Sequence, residues 1–114
     1  MTVAVVARDL MIATRIADVG VRAGVEVLRF DDPAQLPAAA EVSLLLVAWD
    51  ERGPDWGSGL LAWCASAPKS ARPRVVLFGP HTDLAAHADA RAAGLGPMWA
   101  RSKLIAEIPS LLAR

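Results

Sequence analysis

His81 and His87 are the only side chains in this 114-residue sequence whose ordinary pKa suits acid–base work near neutral pH, and Ser58, Ser66 and Cys64 are the candidate nucleophiles. Neither histidine has a nucleophile beside it in sequence. His87 falls mid-helix on a solvated face, and Cys64 reads as a small core residue. No catalytic site is assigned and the chain is expected not to be an enzyme; hydrolase-type chemistry around His81 and Asp50 is the form an enzyme would take. A second set is richer in charge. Arg8, Asp9, Asp50, Glu51, Arg52, His81 and Arg101 all follow apolar runs, which places them at the carboxyl edge of a sheet, where ligands bind in open α/β folds. Two readings stand: a surface salt-bridge network, or an anion or nucleotide pocket with Arg8 and Arg101 clamping phosphate. Nucleotide motifs are missing, because the Ala7-Arg8-Asp9 turn has no glycine and no Walker-type loop occurs. Gly94-Leu95-Gly96 is a helix stop before a tight turn.

Aromatic usage adds a third candidate. There are four tryptophans and no tyrosine. Burying all four would fill much of a small core, so Trp56 is expected to stay partly exposed, with Trp99 the next candidate, as interface anchors.

The elements that must position these groups alternate five times. Val3 to Ala7 is an apolar run typical of a strand covered on both faces. A helix from Asp9 through Ala23 follows, closed by Gly24. Val25 to Phe30 reads as an edge strand, and Asp31-Asp32-Pro33 opens a helix that Pro37 interrupts. Val42 to Trp49 is the most apolar strand and belongs at the sheet centre. A loop from Asp50 to Gly59, a short helix from Leu60 to Ala67, a strand from Val75 to Phe78 and an alanine-rich helix capped by Thr82 or Asp83 come next. Pro97 to Ala100 is the last strand and 102–113 the last helix, which Pro109 should kink or split. Strands joined by helical crossovers give an α/β, three-layer, flavodoxin-like sandwich with a five-stranded parallel sheet in the order 2-1-3-4-5.

Size and composition fit one domain, 1–114. Hydrophobic residues make up 54% and charged residues 21%, which excludes disorder. Twelve basic and twelve acidic residues cancel, so no global field draws the chain to nucleic acid or to an anionic membrane. No run approaches the roughly 20 apolar residues of a membrane span. The amino-terminal apolar run is too short for a signal peptide. Cys64 has no cysteine to pair with, and no cysteine and histidine spacing suits zinc, so a reducing cytoplasm is the expected home and no metal or cofactor is assigned.

In layout and spacing the chain resembles response-regulator receiver domains of the CheY-like type over nearly its full length. The closest local echo runs from Pro73-Arg-Val-Val-Leu-Phe-Gly79 through Ala92-Ala-Gly94 to Arg101, and Ala7-Arg-Asp-Leu-Met-Ile12 resembles short stand-alone bacterial proteins of that kind. The resemblance implies a magnesium-holding acidic pair, an acceptor aspartate, a hydroxyl and a lysine at the strand ends. Those positions carry Ala7 and Arg8, Ala48, Phe78 and Arg101, and only Arg101 keeps the charge. Magnesium needs hard oxygen ligands and the transfer needs a carboxylate. A one-residue shift would bring in Asp9 and Asp50, which alternation along a strand disfavours. The resemblance thus implies a non-phosphorylatable pseudo-receiver in bacterial signal transduction or regulation, acting through a protein partner. That partner could be a second copy docked through the region 83–114, where receivers make such contacts. A small-ligand sensor at the charged cluster is the alternative, with Asp9, Asp50, Arg52, Trp56, His81 and Trp99 marking the surface for ligand or partner.

Overall fold

The computed structural model describes residues 1–113. Its strands are β1 (Thr2–Val6), β2 (Glu26–Phe30), β3 (Leu44–Ala48), β4 (Arg74–Gly79) and β5 (Met98–Ala100), and its helices α1 (Leu10–Ala23), α2 (Trp56–Ala65), α3 (Leu84–Ala92) and α4 (Arg101–Leu112). The five strands form one parallel sheet in the order β2-β1-β3-β4-β5, a flavodoxin-like α/β arrangement. β1 and β3 sit side by side in its centre, Val3 beside Leu44 and Val6 beside Val47. All five residues of β3 are buried, as expected of a strand covered on both faces.

Alternation along these strands divides the core into two layers. Val3, Val5, Leu46 and Phe78 meet Ile12 and Ile16 of α1 and Leu104, Ile108 and Leu112 of α4. On the other side Ala4, Val6, Leu45 and Leu77 meet Trp56 and Leu60 of α2 and Ala86 and Ala90 of α3. Local chemistry sets the helix ends. The Asp9 carboxylate accepts from the Met11 amide and Gly24 takes a left-handed φ of 69°, so α1 starts and stops where polar side chain and missing Cβ allow. Asp83, not Thr82, caps α3 by accepting from the Ala86 amide.

Four departures from the sequence reading matter for the site. The β2–β3 crossover contains no α-helix, only 3-10 turns at Pro33–Gln35 and Ala39–Glu41, because Pro37, within about a turn of the Asp32 cap, denies it a helical hydrogen-bond ladder. The chain therefore has four helices among the described residues. α2 begins at Trp56 rather than Leu60, which absorbs nearly half of the expected 50–59 loop. The driver is Trp56 itself, which is only 5% exposed and anchors the first turn in the core, so it is not the partly exposed aromatic expected from the difficulty of burying four tryptophans. Finally, Pro109 does not split α4, which runs on to Leu112 with Ile108 and Leu112 buried, packing that outweighs the one hydrogen bond lost.

Candidate functional site

The carboxyl ends of β1, β3, β4 and β5 meet at one edge, and two of the charged groups expected there owe their aim to turns rather than strands. β3 stops at Ala48, and Trp49–Glu51 continues as a 3-10 turn. Asp50 and Glu51 are therefore released from the two-residue alternation that would have pointed Asp50 away. Asp9 is likewise a helix cap and not a strand residue. The reason for setting the Asp9 and Asp50 pair aside fails, and the structure brings both carboxylates to Arg101.

Arg101 opens α4 and reaches back over the edge. Its guanidinium nitrogen lies 3.2 Å from Asp50 Oδ2 and 3.9 Å from Asp9 Oδ2. Asp50 is well covered, its side chain 19% exposed, while that of Arg101 is 40% exposed. Asp50 Oδ1 and Arg101 Nε are shut off from solvent without a hydrogen-bond partner. Burial pushes the Asp50 carboxyl above its usual range, and Arg101 opposes that shift without cancelling it. The carboxylate fits because β4 ends in Gly79: a Cβ there would lie 3.2 Å from Asp50 Oδ1 and 2.9 Å from Met98 Sδ.

Glu51 completes the knot from the other side. Its carboxylate accepts from the backbone amides of Arg8, at 2.7 Å, and Asp9, at 3.2 Å. An internal carboxylate thus occupies the two amides that lead into α1, beside the helix end that attracts anions. Sequence placed Glu51 in the cluster but gave no sign of this contact, which joins positions 43 apart.

The remaining candidates lie elsewhere. Arg52 turns to the α2–α3 side, where its guanidinium donates to Asp89 and to the Trp49 carbonyl and lies 5.5 Å from the Trp49 ring centre. Trp49 donates through Nε1 to the Ala86 carbonyl at 3.0 Å, so the residue beside the site is part of the α3 packing. His81 is exposed, and its carbonyl oxygen, not its ring, meets His87 Nε2 at 3.1 Å. Ser58 and Ser66 donate to the carbonyls of Asp55 and Trp63. Burial raises the pKa of the Cys64 thiol, which holds it in the less nucleophilic form. Ala7, Ala48 and Phe78 are buried and offer the edge only apolar groups. Trp99 is half-buried, its ring flanked by Lys103 at 4.6 Å and Arg74 at 5.9 Å.

The magnesium that the receiver resemblance implies does not fit this edge. Such an ion takes several oxygen ligands in a near-octahedral shell. Among the described residues no group of three or more His, Cys, Asp or Glu side chains converges, and the cationic head of Arg101 lies beside the two carboxylates that do approach. Beside Arg101 a groove of about 570 Å³ runs between α1 and α4, lined by Met11, Ile12, Arg15 and Ile105. Among the described residues no helix is long and apolar enough to cross a membrane. A scan of protein-family models gives no match to the chain, and a search of curated proteins gives none either.

Proposed function

We propose that this chain is a non-phosphorylatable, receiver-like module that works in bacterial signalling or regulation through protein contacts, its strand-end switch held in one state. One observation carries the reading: the strand-end charges already have partners, Arg101 in Asp50 and Asp9, Glu51 in the backbone amides of Arg8 and Asp9. The β4 end supports it, since Phe78 and Gly79 offer no hydroxyl. A ligand-sensor reading would need Arg101 to leave two carboxylates and Glu51 to vacate two amides before an anion entered. Arg8 at this edge and Arg15 in the adjoining groove stand exposed without an ion-pair partner among the described residues.

The region 83–114 supports a partner surface, although Arg114 lies outside the described residues. Leu84 is 77% exposed at the start of α3, and Ala85, Ala88 and Ala92 offer small side chains to solvent. Two copies meeting through this face would respond to Ala88→Glu and Ala92→Glu. A monomer at high micromolar concentration in sedimentation, or a dimer indifferent to both changes, would remove the homodimer from the reading.

The switch itself is tested by adding magnesium and beryllofluoride, a phosphoryl mimic that needs an acceptor carboxylate, and following amide shifts and tryptophan fluorescence. No saturable change is expected. A saturable response centred on Asp50 would show a working acceptor and overturn the proposal. Titration with phosphate and common nucleotides at near-physiological salt tests the sensor reading, which micromolar binding would restore.

A further inference from the structure

Three of the four crossovers in this sheet carry an α-helix, and the fourth, between β2 and β3, does not. The omission leaves a slot. Between the Pro33–Gln35 turn and α2 lies a groove of about 540 Å³ whose apolar walls are Pro33, Leu36, Pro54, Trp56 and Trp63. The neighbouring sheet edge tells the same story. On this face Ala4 and Val6 of β1 are fully buried, whereas their register partners Leu28 and Phe30 of β2 are only half-buried. α2 itself has no charged residue in ten, and its solvent-facing positions are Ser58, Gly59, Leu61, Ala62 and Ala65, with Leu61 44% exposed. A helix without a polar outer face is ordinarily covered.

Charge says what would cover it. The chain is neutral in sum, but the residues that line the groove include two carboxylates, Asp32 and Asp55, and no cation. Asp32 and Asp55 form the groove's rim, and neither has an ion-pair partner among the described residues. The Asp32 carboxylate serves the Ala34 amide, and that of Asp55 makes no capping bond. Trp63 donates its Nε1 to the Pro37 carbonyl at 2.8 Å, so the indole offers a ligand its apolar face and not the donor that extended proline-rich peptides use.

We infer that this groove docks a cationic amphipathic helix of a partner protein, its apolar side laid against Trp63, Leu36 and Pro54 beside α2 and its Lys or Arg side chains over Asp32 and Asp55. The occupant takes the place that a crossover helix would have filled. The inference deepens the protein-interaction reading and stands on different residues, so a beryllofluoride response at Asp50 would overturn the receiver proposal and leave this groove untouched.

The test is a selection of displayed random 16-residue peptides against the whole chain, followed by amide-shift mapping with a synthetic copy of the winner. Expected are peptides with apolar residues at helical spacing and several Lys or Arg, which shift residues 32–36 and 53–63. A Cβ at Gly59 meets nothing within 4 Å, so Gly59→Leu plugs the groove without disturbing the core. It should weaken binding at least tenfold at a thermal midpoint no lower than that of the native chain, and Asp55→Lys should weaken it about as much. Acidic or proline-rich winners, no enriched peptide, or binding that survives Gly59→Leu would each overturn the inference. So would self-association of the chain that Asp55→Lys abolishes, since the occupant would then be a second copy.

Discussion

The two faces of the sheet are closed by different means. Under α1 and α4 the contact is made by large aliphatic side chains: Ile16, Leu104, Ile108 and Leu112 are essentially inaccessible. Under α2 and α3 it is made by small and very large ones together, Ala86 and Ala90 at 0% exposure beside Trp49 and Trp56. The first face tolerates no loss of volume, the second no gain. That difference follows from close packing, in which a cavity and an overfilled site are both penalised. The groove beside α2 has a separate cause, the α-helix missing from the β2–β3 crossover.

The largest effect should come from the aliphatic face. Leu104→Ala or Ile16→Ala is expected to cost about 2–5 kcal/mol, read by urea unfolding, through lost burial and the cavity left behind. A smaller penalty, about 1–3 kcal/mol, is expected for Ala90→Leu, which forces methylenes between α3 and the sheet. If Ala90→Leu proved neutral, the second face would be loosely filled and the contrast would fail. At the edge, Arg101→Ala strips Asp50 of its cation and should cost about 1 kcal/mol, since half-exposed pairs are screened.

The pH dependence of Asp50 has a definite sign. Its carboxyl is raised in the folded state, so between the unfolded and folded pKa values the native chain holds the extra proton, and the stability linked to that proton is lost as pH rises through the folded pKa. Compared with Asp50→Asn, the native chain should therefore gain stability as pH falls into the acid range. Equal pH profiles for the two proteins would show that burial does not govern this group. The smallest expected effect is a gain: Gly59→Ala, on an open helical site, should stabilise by about 0.5–1 kcal/mol.

Much of the fold was readable because its signals are local. Uninterrupted valine and leucine runs mark β1 and β3, Asp9 and Gly24 bracket α1, and strand-helix alternation implies a parallel sheet. The β2–β3 crossover was readable only by half: Pro37 showed that a helix there was weak, and the chain keeps only 3-10 turns. α2 was placed late because Gly53, Gly57 and Gly59 look like loop, whereas burial of Trp56 decides the matter. The charge cluster was foreseen as one group, but the chain splits it, sending Arg52 to Asp89 and leaving His81 in solvent.

The order of residues alone determined the layers, the parallel topology, the two ends of α1 and the approach of charged groups to one sheet edge, because each depends on periodicity or on a single residue's backbone preference. Tertiary structure alone decided which charges meet. The 3-10 turn after β3 rotates Asp50 toward Arg101 and lifts Glu51 onto the Arg8 and Asp9 amides, and no local pattern encodes a turn's final angle relative to residues 43 positions away. Pair distances of a few ångströms are set by how whole helices seat on the sheet, which only the packed molecule fixes.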